Sequence, residues 1–215
     1  MCSSDLPFRP VVWRSESAAG GAIAFTAVVN EDALPSDWIL RQCPSIYQLR
    51  IQKEHELRIT CMGQHVVAAR LNSNALTKRG QTDWRQASLS SLEVEVVSIP
   101  DTLRAGCLKL LEALGLVFGC IDVIKSEDGD YVFLEVNQMG QFLWLEEANP
   151  QIPLLDAFCQ FLQVGHAGFC YEANQQRVCL ADVLQASQDL MEADRAVHIP
   201  SEPSDLIFQG TEQDT

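Results

Sequence analysis

The chain has 215 residues, of which 47% are hydrophobic and 20% charged, enough to bury a core and unlike a disordered segment. Fifteen Lys and Arg stand against 29 Asp and Glu, a net charge of −14, which argues against a nucleic-acid backbone or an anionic membrane as the main partner. No run approaches the ~18 apolar residues of a membrane span, and Met1 to Ser17 lack the layout of a secretory signal, so a soluble cytoplasmic protein is the expectation.

Composition predicts three stretches: an irregular N-terminal segment (1–20), a core (21–165) and an acidic tail (166–215). Ala22–Val29 (AIAFTAVV) reads as a strand. Glu56–Cys61 alternates polar and apolar residues, Gly63-Gln64 turns the chain, and Val66–Leu71 returns, a hairpin pattern. Asn72 to Ala87 is polar and without period, the kind of long loop that often contacts substrate. Leu92–Ser98 alternates again. Pro100-Asp101-Thr102 then opens a helix with Leu103, Cys107, Leu110, Leu111 and Leu114 on its apolar stripe, ended by Gly115. A second helix runs from Pro153 to Gly165, with Leu154, Leu155, Phe158, Phe161 and Leu162 as its buried face. In the tail, which carries nine acids against Arg177 and Arg195, Val178 to Arg195 predicts an amphipathic helix with Leu180, Val183, Leu184 and Met191 on one side. Strands with inserted helices make this an α+β chain.

The eight cysteines are never closer than nine residues and form no C-x-x-C pair, so zinc and dithiol chemistry lack support. Cys107, Cys120 and Cys159 sit in apolar strings and read as small buried hydrophobes. The four histidines are scattered and suggest no ligand pair.

The informative region lies between the two central helices. Gly119–Lys125 (GCIDVIK) and Tyr131–Asn137 (YVFLEVN) are β-rich runs joined through Asp128-Gly129, a two-residue turn signal. With that turn, Asp122 lies opposite Glu135 and Asn137 lies opposite Cys120, so Asp122, Glu135 and Asn137 share a face. Ile121, Val123, Val132, Leu134 and Val136 then share the core face. Opposed side chains have Cβ atoms about 5 Å apart, and like charges there are destabilising, so two carboxylates need a compensating cation. Three oxygen donors without thiol or imidazole suit Mg²⁺ or Mn²⁺. The plainer alternative is a solvated polar face. The run Asn137-Gln138-Met139-Gly140-Gln141 into Trp144, expected to be buried, suggests a backbone that approaches something closely.

The ordered set GCIDVI, FLEVNQMGQFLWLEE, Tyr47-Gln48, Lys53, Glu56-Leu57-Arg58-Ile59-Thr60, Gly63, Ala68-Ala69 and Asp83-Trp84-Arg85 resembles the C-terminal core of ATP-grasp ligases, over about residues 20–165. The resemblance is to the microviridin-type (graspetide) branch that modifies ribosomal peptides, with ribosomal-protein glutamate ligases more distant. It implies an ATP-grasp fold of antiparallel sheets with packed helices. It also implies ATP-dependent phosphorylation of a peptide carboxylate, and attack of an amine or hydroxyl on the acyl phosphate. By resemblance, Asp122, Glu135 and Asn137 hold Mg²⁺ (or Mn²⁺). Arg58 and Arg85 serve as catalytic residues toward the transferred phosphate or acceptor carboxylate, and Tyr47, Gln48, Lys53 and Arg58 contact ATP. Arg58 has the alternative of a surface cation paired with Glu56 or another acid. The sequence has no Ser/His/Asp set and no P-loop, which suits a reaction resting on positioning and charge neutralisation. It departs from relatives at Leu49, where they commonly have an acid, and at Asn137-Gln138-Met139-Gly140, where they read Asn-Pro-Asn-Gly; Arg14 stands for an early-strand lysine. Relatives also carry an N-terminal domain of ~100 residues or more, so this reading has the usual N-terminal domain lacking. The partners it implies are a peptide substrate, with no nucleic acid and no membrane, and either a homodimer or a partner chain supplying the missing lobe. The alternative to a ligase is a degenerate relative that binds a peptide or partner without catalysis.

Overall fold

The computed structural model describes residues 8–11, 36–42, 46–72 and 92–197. The strand expected at 22–29, residues 73–87 of the expected loop with Arg85, and Arg14 lie outside the described residues.

Strands β1 (Phe8–Val11) and β2 (Ile46–Leu49) form an antiparallel pair, with the short helix α1 (Asp37–Gln42) between them in sequence. Strand β1 falls in the stretch expected to be irregular. The central unit is a five-stranded sheet of β3 (Lys53–Met62), β4 (His65–Asn72), β5 (Glu93–Val96), β6 (Phe118–Ser126) and β7 (Tyr131–Asn137), in the order β5-β4-β3-β6-β7. Every neighbour pair in it is antiparallel. The β3–β4 hairpin is the one the alternation predicts. Its turn at Gly63 has φ of 58°, and a Cβ there would stand 2.9 Å from Phe169, so glycine is required twice over.

Alternation along the strands splits the core in two. On one face, Leu57, Ile59, Cys61, Ala68, Ile121 and Val123 pack under helix α2 (Asp101–Ala113), which contributes Cys107 and Leu111. On the other, Met62, Ala69, Leu71 and Cys120 pack against helices α3 (Trp144–Ala148) and α4 (Leu154–Val164) through Leu145, Leu154, Ala157 and Phe161. Phe169 belongs to this second core, which therefore extends past residue 165. The stripes predicted for the helices are narrower than expected: Leu114 and Leu162 are exposed, and α4 buries Asp156 instead. Helix α5 (Leu180–Val197) forms where the periodicity placed it, but Val183 and Leu184 remain about half exposed. No helix among the described residues is long and apolar enough to cross a membrane.

Candidate functional site

One row of side chains crosses the sheet on the face of the second core. Register places Ala69, Arg58, Asp122 and Glu135 side by side on β4, β3, β6 and β7. The next row holds Thr60, Cys120 and Asn137. The acidic hairpin thus brings Asp122, Glu135 and Asn137 to one face, in the pairing read from the sequence, but by a different route. Hydrogen bonds from Ser126 N to Asp130 O (2.8 Å) and from Gly129 N to Ser126 O (3.0 Å) close a three-residue loop, not the two-residue turn expected. That leaves Val123 opposite Phe133, one residue out of step, and a β-bulge between Asp122 and Val123 returns the ladder to Asp122 opposite Glu135. Two offsets of one residue cancel. Because of the bulge the inner face is less complete than predicted: Val136 packs on the first core, while Val132 and Leu134 are only half-buried and Phe133 is half exposed. Bulges of this kind re-aim side chains next to active sites.

The cation that answers Asp122 in the described protein is Arg58. Both are buried, with Arg58 only 4% exposed. Its Nη1 donates to both carboxylate oxygens, at 2.8 and 2.7 Å. Its Nη2 donates to the carbonyl of Gly140 at 2.6 Å and reaches that of Gln141 at 3.4 Å, while its Nε is buried with no hydrogen-bond partner. Arg58 thus does pair with an acid, as the alternative allowed, but the acid is Asp122 in the interior, and Glu56 pairs with Lys53. The small side chain of Ala69 on its other flank leaves room for a guanidinium in the middle of a sheet.

The turn after β7 is shaped to present those carbonyls. Asn137 Oδ1 accepts from Met139 N at 3.1 Å, an Asx turn that starts the bend. Gly140 has φ of 80°, and a Cβ there would stand 2.7 Å from the Phe118 ring. Gln141, at φ of 51°, is the one non-glycine in the left-handed region among the described residues. Its carbonyl also accepts from Trp144 Nε1 at 2.8 Å. Trp144, expected to be buried, is half-buried and works as a donor to this turn.

The remaining residues singled out in sequence divide as follows. Lys53 opens β3, five positions from Arg58, and pairs with Glu56. Tyr47 and Gln48 lie on β2, in the separate two-stranded sheet. Arg85 lies outside the described residues. The cysteines on the sheet are inert as nucleophiles: burial pushes the Cys61 thiol up to about 12, and burial raises Cys120 as well, with Arg58 acting against it. Two buried acids were not anticipated, Glu146 and Asp156. Glu146 accepts from Leu155 N (2.7 Å) and Leu180 N (2.9 Å), and Asp156 from Val178 N (2.9 Å) and Gln160 Nε2 (3.0 Å). They tie residues 178–180 to the first turn of α4. Acids at a helix start are a readable signal, and here the sequence offered Glu146-Glu147 and Asp156.

Comparison with known proteins fits this geometry. The described structure superposes on a Chryseobacterium gregarium RiPP-associated ATP-grasp ligase, solved with ADP and a leader and core peptide, with a TM-score of 0.59 and 30% identity over 66% of this chain and 43% of that one. The chain carries the ATP-grasp fold. The macrocyclase MdnC of Microcystis aeruginosa, bound to precursor peptide MdnA, gives a TM-score of 0.61 and 29% identity over 75% of this chain and 50% of that one. Among curated proteins, the tetrahydromethanopterin:alpha-L-glutamate ligase of Methanocaldococcus jannaschii is 30% identical over 117 residues, 53% of this chain and 38% of that protein. No protein-family model matches. The chain spans about half the length, or less, of these ATP-grasp relatives.

The donor set fits a hard divalent ion. The acceptor atoms of Asp122, Glu135 and Asn137 are all oxygen, and each has more than one lone pair, so neither the bonds from Arg58 to Asp122 nor that from Met139 N to Asn137 exhausts them.

Proposed function

We propose that residues 21–165 form the nucleotide- and metal-binding core of an ATP-dependent ligase acting on a peptide carboxylate in the cytoplasm. In this reading the carboxylate is phosphorylated by ATP, and an amine or hydroxyl then displaces phosphate from the acyl phosphate, leaving an amide or ester with ADP and phosphate. The observation that carries it is the cross-sheet row Arg58–Asp122–Glu135, with Asn137 in the row beside it. The peptides held by the two ATP-grasp neighbours support a peptide as the acceptor.

Each residue has a definable task. Asp122, Glu135 and Asn137 would hold Mg²⁺, which when bound supplies charge neutralisation to the nucleotide phosphates. Arg58 offers a planar guanidinium, suited to a phosphate or carboxylate, with its Nη2 anchored on the Gly140 and Gln141 carbonyls. Tyr47, Gln48 and Lys53 contact the nucleotide, and Arg85 the transferred phosphate or the acceptor.

Ligand-dependent stability of the full chain tests this. Mg²⁺ with ATP at 100 times its Kd is expected to add about 2.7 kcal/mol to unfolding, and Asp122→Asn is expected to abolish that gain while the chain stays folded. A wild-type chain stabilised by a peptide but not by Mg²⁺ and ATP would instead be a binding module. Asp122→Ala is expected to destabilise rather than relieve repulsion, because it strands a buried Arg58.

A further inference from the structure

We propose that Arg58 is a resident counterion that competes with the divalent cation for Asp122, so that cation and phosphate-bearing ligand enter cooperatively. The inference rests on the metal-and-nucleotide reading above and adds to it a rule of order.

Both oxygens of Asp122 receive Arg58 Nη1 at 2.8 and 2.7 Å. A metal ion approaching that carboxylate meets a guanidinium already at bonding distance, and the two like charges repel across a buried, weakly screened site. A cation alone is therefore disfavoured until Arg58 turns away. The structure shows what Arg58 keeps and what it lacks when it does. Nη2 is tied to the Gly140 carbonyl at 2.6 Å, a pivot that allows the head to rotate without leaving the site. Nε is a buried donor with no partner, so the same side chain has a standing deficit that an anion would fill. An anionic phosphate oxygen offers Arg58 a replacement for Asp122 and frees Asp122 for the metal. Reciprocity of binding free energies then requires each ligand to tighten the other by the same factor.

Mn²⁺ binding to the full chain, followed by the electron paramagnetic resonance of the free ion with and without ADP and corrected for the Mn²⁺–ADP complex measured without protein, tests this. Wild type is expected to bind Mn²⁺ alone weakly and to gain roughly tenfold or more when ADP is present, within the usual range of such coupling. Arg58→Met is expected to bind Mn²⁺ alone about tenfold or more tighter than wild type, with an ADP dependence smaller than that of wild type and limited to what direct contact of metal and phosphate supplies. Arg58→Lys, which keeps the charge but not the fork, is expected to fall between them. If Arg58→Met fails to fold, the ¹⁵N signal of Arg58 Nε in wild type decides: it is expected to move with Mg²⁺ and ADP together and to stay put with Mg²⁺ alone. Wild-type affinity for Mn²⁺ alone equal to that of Arg58→Met, or unchanged by ADP, overturns the inference and leaves the nucleotide site standing. Absence of Mn²⁺ and ADP binding in wild type and variants overturns both.

Discussion

The buried acids of the described residues, Glu146 and Asp156 on one side and Asp122 on the other, are neutralised by different chemistry. Glu146 and Asp156 are answered chiefly by backbone N–H groups, those of Leu155, Leu180 and Val178, which have no freedom to leave. Asp122 is answered by a side chain, Arg58, which hangs on a flexible stem and is itself short of one partner. An acid held by fixed backbone dipoles fastens the fold. An acid held by a movable cation can exchange that cation for another. The first set fixes the segment around 178–180 against α4, and Asp122 lies on β6 opposite exposed Glu135 on β7, the last strand of the described sheet.

The sharpest way to break that distinction is Glu146→Ala. It leaves two half-buried N–H donors without their acceptor, and with ~1–3 kcal/mol expected for each, the loss is about 2 to 4 kcal/mol. Chemical denaturation is expected to show this loss, with the Arg58–Asp122 pair and its metal dependence intact in whatever fraction remains folded. A loss below ~1 kcal/mol would mean that Glu146 does not fasten this segment.

Gly140→Ala strikes the other set. The added Cβ meets the Phe118 ring at 2.7 Å, and φ of 80° is strained for alanine. A cost of about 2 kcal/mol is expected. Because the displaced carbonyl is the pivot for Arg58 Nη2, coupling between Mn²⁺ and ADP is expected to fall with it. Stability lost with coupling unchanged would separate the turn from the site.

Acid pH probes the fastened side again. His65 packs its ring on Tyr171 and Phe169, and burial lowers its pKa, with Arg104 adding to the effect. Folded His65 thus resists protonation more than unfolded His65 does. Its contribution is full above the unfolded value of about 6.5 and is lost as pH falls from there toward the depressed folded value. His55, also lowered chiefly by burial, acts in the same sense. His65→Phe is expected to flatten part of the stability loss between neutral and mildly acid pH, read as the denaturation midpoint across that window. An unchanged pH profile would assign the loss elsewhere.

The sequence carried the architecture well where period and punctuation agree, and the site in part. The β3–β4 hairpin, α2 and α4 were legible because alternation, helical spacing and glycines marked both ends. The pairing of Asp122 with Glu135 was legible in outcome but not in route, since neither the third loop residue nor the bulge leaves a composition signal. Arg58 was singled out, yet its partner was not, because nothing in local spacing says that β3 lies between β4 and β6. Glu146 and Asp156 stayed hidden for a related reason: their partners are backbone amides 9 to 34 positions away, and backbone has no sequence signature. The left-handed Gln141 could not be foreseen from residue type at all.

Gln141→Gly gives the smallest expected effect and the finest test of the turn. At φ of 51° glutamine bears a steric cost that glycine escapes, offset by the greater freedom of glycine in the unfolded chain. The net gain in stability is expected to be about 1 kcal/mol or less. If the carbonyl stays where it is, Trp144 Nε1 and Arg58 Nη2 keep their acceptor, and Mn²⁺–ADP coupling is expected to be unchanged. If the relaxed backbone instead drifts, the variant is expected to gain stability while losing coupling, as strain held at a working site predicts. Pairing it with Trp144→Phe, which removes the N–H and keeps the ring, separates the two outcomes. A backbone fixed by its own surroundings shows the same coupling in all three chains, whereas one fixed by the indole loses it in Trp144→Phe, and more so in the double variant.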